Sequence, residues 1–240
     1  MKILKEIIKK ILRIFSWKII KINRRKPISY TSPQPTKELF EAIVNSDGIL
    51  HIGGHRGMEA ENYNWLNKKV IWIEAIDEIF VELKDHVQNY YNQKAYCALI
   101  GDKNCEHDFY ISSNDSASSS IFKFTEEIKN NSAWKDMKMI KKIQKNMVTL
   151  DYFIKQNAID LKNYNHWVLD VQGSELKCLE GARDSIKFCK SIFIEISKKQ
   201  YYKGGVLWNE LKNFLEKNNF VLVNEPKTDH TEALFLKKIL

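Results

Sequence analysis

At 240 residues with 44% apolar and 12% aromatic content, the chain has the length of one α/β domain and the apolar material for a sizeable core. Residues 1–26 hold ten Lys/Arg against Glu6 alone, so this arm carries +9 of a net +8 and the remainder carries −1; a basic nucleic-acid groove over the body is excluded. The four cysteines, Cys97, Cys105, Cys178 and Cys189, show no C-x-x-C spacing, which argues against structural zinc and for a reducing, cytoplasmic setting, with Cys97 and Cys178 expected as buried thiols.

Residues 2–22 read as a basic amphipathic helix, with Leu4, Ile8, Ile11 and Phe15 at helical spacing. Lysines interrupt the apolar run, so it is neither a transmembrane span nor a secretory signal. Trp17 and the basic flanks suit an anionic membrane surface; docking on the domain or on a partner is the open alternative. Pro27 to Pro35 holds three of the four prolines and reads as a linker. The expected organisation is therefore an arm over 1–26, a linker over 27–35 and a domain over 36–240.

Thr36 is placed to cap a helix running to Val44, and Asp47-Gly48 turns into a strand, Ile49 to Ile52. Gly53, Gly54 and Gly57 follow, then a helix over Met58–Leu66, then a second apolar strand, Val70 to Ile73, ending on Glu74 and Ala75. Strand, glycine loop, helix, strand and acid form the layout of a nucleoside site, where the carboxylate accepts hydrogen bonds from ribose. A dinucleotide fingerprint needs Gly-x-Gly-x-x-Gly, and its first glycine would fall on Ile52. That weakens an NAD reading and favours S-adenosylmethionine (SAM), which has a ribose and no pyrophosphate.

A helix of about 15 residues is expected after Asp77, with Ile79, Phe80, Leu83 and Val87 on its apolar face. Ala95–Ile100 reads as a third strand closed by Gly101-Asp102, which in a nucleoside site borders the adenine. Phe109–Ile111 is a candidate extra strand. The polar run Ser112–Ser120 is either an exposed loop or a lid over substrate. Residues 126–145 are charged and helical in pattern, and Val148–Ile154 begins a helix. His166–Val171 is the fourth core strand, with Asp170 near its end. Gln172-Gly173 turns the chain into a helix over Ser174–Arg183. Ser191–Ile196 is the fifth strand, and Glu195 there is a carboxylate at the end of a buried strand, which needs a partner or a task. A helix over Val206–Lys217 and strands Phe220–Val223 and Ala233–Leu236 finish the chain. The sum is an α/β fold of about seven strands alternating with helices, with a C-terminal hairpin.

Five stretches carry a resemblance to a known family: His51–Glu59, Val70–Glu74, Val148–Asp151, Leu169–Gly181 and Ile194–Ile196. Together they resemble the FkbM-type methyltransferases over roughly residues 45–237. The Ser118–Ser120 end of the serine loop resembles a feature of one branch, and a histidine at position 51 is similar to a branch found with bacterial surface-glycan clusters. The resemblance implies a Rossmann-like class I methyltransferase fold, a mostly parallel sheet with helices on both faces and an antiparallel C-terminal strand. It also implies SAM as cofactor and methyl transfer to a hydroxyl of a surface polysaccharide or its precursor, a nucleotide sugar or lipid-linked glycan. His51 stands where many class I enzymes carry an acid, and Asp170 and Glu195 are the residues available to supply that charge.

On this reading His51, Gly53, Gly54, His55 and Gly57 surround the methionine portion of SAM, Glu74 and Ala75 the ribose, and Gly101 and Asp102 the adenine. Asp170 faces the reacting centre and is the first candidate base, with His55 and Glu195 next. Ser118, Ser119, Ser120, Gln172 and Glu175 are candidate acceptor contacts, although Gln172 also serves to close its turn and Glu175 to favour its helix dipole. No metal-ligand cluster is apparent, and the oligomeric state stays open. The alternative from another class is a non-catalytic SAM-fold module that scaffolds glycan-assembly enzymes; a nucleotide-dependent oxidoreductase is more distant.

Overall fold

The computed structural model describes residues 36–238. The expected arm over 1–26 and linker over 27–35 lie outside the described residues. Thr36 caps α1 (Lys37–Val44), its hydroxyl accepting from Leu39 N at 3.2 Å. There follow β1 (Gly48–Ile52), α2 (Ala60–Trp65), β2 (Lys69–Glu74), α3 (Asp77–Val87) and β3 (Gln93–Cys97). After them come β4 (Leu99–Gly101), β5 (Cys105–Ser112), β6 (Met139–Thr149), α4 (Leu150–Gln156), β7 (His166–Leu169) and α5 (Glu175–Glu180). The chain ends through β8 (Ser191–Ser197), α6 (Trp208–Lys217), β9 (Phe220–Leu222) and β10 (His230–Lys237).

Seven strands form one sheet in the order β3-β2-β1-β7-β8-β10-β9. The first five run parallel, and β10 is antiparallel to both β8 and β9. Every residue of β1 and β7 is buried, His51 and His166 among them, as strands covered on both faces require. One core layer joins Leu50, Trp167 and Ile192 to Leu179 and Leu211; the opposite layer joins Ile49 and Trp72 to Tyr63 and Leu83. The strand order reverses between β1 and β7, so a crevice opens beyond their carboxyl ends. Gly53 and Asp170 are the residues that leave the sheet there.

A second sheet, β4-β6-β5, is an insertion. It corrects three expectations. Ala95–Ile100 is two strands: Cys97 still pairs with Glu74, whereas Leu99–Gly101 leave to pair with Met147–Thr149. Residues 126–145 are not a helix but a single turn over Glu126–Asn130 followed by β6. Its lysines hide the alternation; Met147 is buried, and Lys145 lays its stem inward to reach Asp77 at 2.8 Å. The helix expected from Val148 begins at Leu150, because Val148 stays in the ladder opposite Ile100 and the Thr149 hydroxyl caps Tyr152 N. Cys178 is buried as expected, but Cys97 is exposed and its thiol donates to Asp77 at 3.2 Å. Among the described residues no helix is long and apolar enough to cross a membrane.

Candidate active site

The glycine loop is held from below by the sheet. Gly53 N and Gly54 N both donate to Ile73 O, at 2.9 and 3.0 Å. Gly53 has φ +86°, and a Cβ there would lie 1.8 Å from Asp170 O; only glycine permits this approach of the loop to the end of β7. Glu74 ties the loop to the next strand. Its Oε2 accepts from His55 N at 2.9 Å and its Oε1 from Ile76 N at 2.8 Å. Burial raises the Glu74 carboxyl, and these backbone bonds pull it back.

The loop, Glu74 and Asp170 line a cavity of about 250 Å³. His51, Gly53, Gly54, His55, Ala75 and Gln172 line it too, as expected from sequence. Its apolar wall is Ile76, Leu99, Ile100 and Phe109, none of which sequence reasoning singled out. His51 is buried and stacked on Trp72, with ring centroids 4.5 Å apart, and burial pushes its pKa down to about 3. The imidazole is therefore neutral and adds no positive charge to the cavity.

A second cavity of about 210 Å³ borders the first, and Ala117, Asp170 and Gln172 line both. Gln172 is the hub between them. Its Nε2 donates to Asp170 Oδ1 at 2.5 Å and to both Glu195 oxygens at 3.1 Å, while its Oε1 accepts from Tyr202 OH at 2.6 Å. Gln172 has φ +56° and His55 φ +42°; both are left-handed non-glycine residues, the kind of strain that gathers at functional sites. Glu195 Oε1 also meets His230 Nε2 at 2.9 Å, and His230 Nδ1 lies 2.7 Å from Ser197 Oγ. Burial lowers the His230 pKa. Glu195 is raised to about 8 by burial and by Glu232, and Asp170, an exposed residue at the cavity wall, is raised with the like charge of Glu195 beside it.

The serine loop is built rather than slack. Ser112 Oγ donates to Asn114 Oδ1 at 2.6 Å and accepts from Ser118 N at 3.0 Å, and Ser119 Oγ accepts from Ser112 N at 3.0 Å. Ser119 lines the first cavity and Ser118 the second. Arg56 fastens the loop over the glycine turn. Its guanidinium bonds Asp115 at 2.7 and 3.1 Å and Glu82 at 2.8 and 3.3 Å. His55 Nε2 joins this fastening, 3.1 Å from both Asp115 O and Arg56 Nη1.

Five sequence candidates do not line either cavity. Gly57 is a packing glycine, since a Cβ would sit 2.7 Å from Leu83. Gly101 packs on Met147, and Asp102 pairs with Lys177 at 2.8 Å; Leu99 and Ile100 line the cavity in their stead, because the strand breaks earlier than the sequence implied. Ser120 is buried and donates to Gln172 O at 2.7 Å. Glu175 is buried too, and its Oε1 accepts from Val171 N and Gly173 N at 3.1 Å; it is the acceptor that closes the β7 turn. Trp134, Tyr202 and His230 line the second cavity, and nothing local in their segments announced it. Among the described residues no group of three or more His, Cys, Asp or Glu is arranged to hold a metal ion.

The Methyltransferase FkbM domain family matches residues 51–222. No curated protein matches the chain. Solved structures of similar fold include an uncharacterized protein from Listeria monocytogenes, with 11% identity, 85% of this chain and 69% of that one covered, and a TM-score of 0.44. A SAM-dependent methyltransferase from Aquifex aeolicus shares 11% identity over 85% of this chain and 88% of its own, with a TM-score of 0.45. Magnesium protoporphyrin IX methyltransferase from Synechocystis, solved with bound SAM, shares 10% identity over 83% and 74%, with a TM-score of 0.41.

Proposed function

The chain belongs to the FkbM methyltransferase family, whose methyl donor is SAM, and from that premise we propose that it methylates a hydroxyl of a saccharide. The observation that carries the reading is the charge of the first cavity. Glu74, Asp170 and Glu59 line it and, among the described residues, no lysine or arginine does. That set suits a cationic ligand with a ribose and is wrong for a dinucleotide pyrophosphate, which seeks cations and free backbone amides. The residues present therefore fit SAM. Glu74 would hold the ribose, the wall of Ile76, Leu99, Ile100 and Phe109 the adenine, and Asp170 the positive end.

Bound SAM supplies an electrophilic methyl group. The protein must bring an acceptor oxygen into line with it and take the hydroxyl proton. Asp170 is the base of choice because it borders both cavities, and Gln172 engages its Oδ1 while leaving Oδ2 for that proton. The like charge of Glu195 beside it raises its pKa, so that once ionised it holds a proton more firmly than an ordinary carboxylate does. His55 is engaged with Asp115 and Arg56, and Glu195 with Gln172 and His230, so both are assigned supporting parts. The second cavity sets carboxylates beside Trp134, Tyr201 and Tyr202. Acids and amides for hydroxyls beside rings for C–H faces are the surroundings a sugar needs, which supports a glycan precursor as acceptor. The basic arm is proposed to keep the enzyme at the cytoplasmic membrane surface, where lipid-linked glycans are assembled.

Calorimetric titration with SAM and S-adenosylhomocysteine, with NAD as control, tests the donor. Micromolar binding of both and none of NAD is expected; NAD binding without SAM binding overturns the reading. Labelled SAM with a panel of glycan precursors tests the acceptor, and label entering only protein or nucleic acid would refute the saccharide.

A further inference from the structure

The second cavity is more selective than a generic sugar site, an argument that rests on its being the acceptor site. Asp170 and Glu195 border it, and no lysine or arginine among the described residues lines it. Its far wall is a box of rings. Trp134 and Tyr201 meet edge to face with centroids 5.0 Å apart, Trp134 and His230 at 4.6 Å, and Tyr201 and His230 at 5.7 Å. Ring faces carry negative potential, and the imidazole is kept neutral by burial. Glu195 lies at the junction of this box and the polar hub, held by Gln172 on one side and His230 on the other.

A phosphate or a uronic acid entering here would meet two carboxyl groups whose ionisation it would oppose further and no cation, and its desolvation would go uncompensated. An ammonium group would meet aromatic faces and, at once, a carboxyl group that it draws into the ionised form. We infer that the second cavity takes an amine-bearing sugar, with Glu195 holding the ammonium group beside Trp134 and Asp170 facing the hydroxyl to be methylated. A diphosphate joining that sugar to a nucleotide or lipid carrier then stays outside the cavity.

The test uses the full chain saturated with S-adenosylhomocysteine and titrated with glucosamine, N-acetylglucosamine, glucose and glucose 6-phosphate, followed by ligand-observed NMR. Glucosamine should bind about 10-fold or more tighter than glucose or the N-acetyl form, the yield of one charge-assisted contact, and glucose 6-phosphate weakest. Glu195→Gln, of the same shape, should bring glucosamine down to the level of glucose, and Trp134→Ala should weaken both. Equal binding of glucosamine and its N-acetyl form, tighter binding of the phosphate, or binding of none of the four overturns the inference. Binding of S-adenosylhomocysteine is read on the same sample. Its failure overturns the methyltransferase reading beneath; its success with no amine preference overturns the inference alone.

Discussion

Glu74 joins local structure to the proposed cofactor site, and changing it separates the two. The carboxylate is buried and accepts from two backbone amides, His55 N at 2.9 Å and Ile76 N at 2.8 Å. A hydrogen bond to a charged group contributes ~1.5–3 kcal/mol. Glu74→Ala removes both, an upper limit of about 3–6 kcal/mol; water entering the space left behind recovers part, so a loss of about 2–4 kcal/mol is expected. Ribose binding loses one more such acceptor, which is ~10- to 100-fold in Kd. Glu74→Gln is the sharper variant. It keeps the shape, but its NH₂ must face either His55 N–H or Ile76 N–H, donor against donor, so one bond is lost and one kept. It should show about half the destabilisation of Glu74→Ala and a ~10-fold weaker affinity. Urea unfolding measures the first quantity and calorimetry with S-adenosylhomocysteine the second. Unchanged affinity in Glu74→Gln would remove the ribose role, and unchanged stability in Glu74→Ala would show that the loop does not depend on these bonds.

Four further expectations follow from the same geometry. Asp170→Asn keeps the contact to Gln172 but loses the base, so kcat should fall ~100-fold or more with the fold intact; near-normal turnover would shift the role elsewhere. Asp115→Asn preserves a residue type that tolerates the φ of +58° at that position while discharging the bond to Arg56. It should cost under about 1 kcal/mol of stability, since Asp115 is exposed, yet speed cofactor release several-fold in stopped flow; an unchanged release rate would mean the loop does not gate the site. The third concerns pH. Glu175 and Glu195 are raised to about 8 from an ordinary 4.5, so the folded state holds protons that the unfolded chain has lost, and their contribution to stability falls as pH rises between those values. Urea unfolding of wild type and Glu195→Gln across that window should show wild type losing ground to the variant, at a slope of up to ~1.4 kcal/mol per pH unit; parallel curves would refute the shift. Finally, deleting residues 1–26 should release the protein from anionic vesicles in a flotation assay, and continued binding would refute the membrane role of the arm.

The parts of the fold written in local periodicity were legible. β1, β2, β7 and β8 are largely apolar runs, and the glycine loop and Glu74 lie at strand ends where the sequence itself changes character. β6 was missed because Lys141, Lys142 and Lys145 cover its alternation; the signal was present in Ile143 and Met147, two strand repeats apart. Gly57 and Gly101 lie outside both cavities because sequence tells that a glycine is needed, not what lies opposite, and here the neighbours are Leu83 and Met147. The second cavity was illegible for a different reason. Trp134 comes from the insertion, Tyr202 from the segment after β8, and His230 from β10. His230 reaches Glu195 only because β10 pairs with β8 in the register Glu232 to Glu195 and His230 to Ser197, which sets the imidazole diagonally across from the carboxylate. No spacing within one segment encodes that.

The carboxylates at the switch point explain both the strain and the selectivity of the site. Asp170 and Glu195 are drawn toward one amide, Gln172 Nε2, and Glu175 is buried on the same turn. Burial raises Glu175 and Glu195, and like charges add to it, Glu195 acting on Glu175 and on Asp170, and Glu232 on Glu195. A protein selected for stability alone would not gather them, nor hold Gln172 at φ +56° to do so. Their repulsion is relieved by a cation in either cavity, so folding free energy withheld from the empty protein returns as affinity for a positively charged ligand. By linkage, a cationic donor in the first cavity should favour ionised Asp170 and so ready the base that serves the second. An uncharged donor analogue would relieve nothing. S-adenosylhomocysteine, which lacks the sulfonium charge, should therefore gain less affinity than SAM as pH rises from about 6 to about 8, and equal gains would show that the carboxylates do not sense the sulfonium.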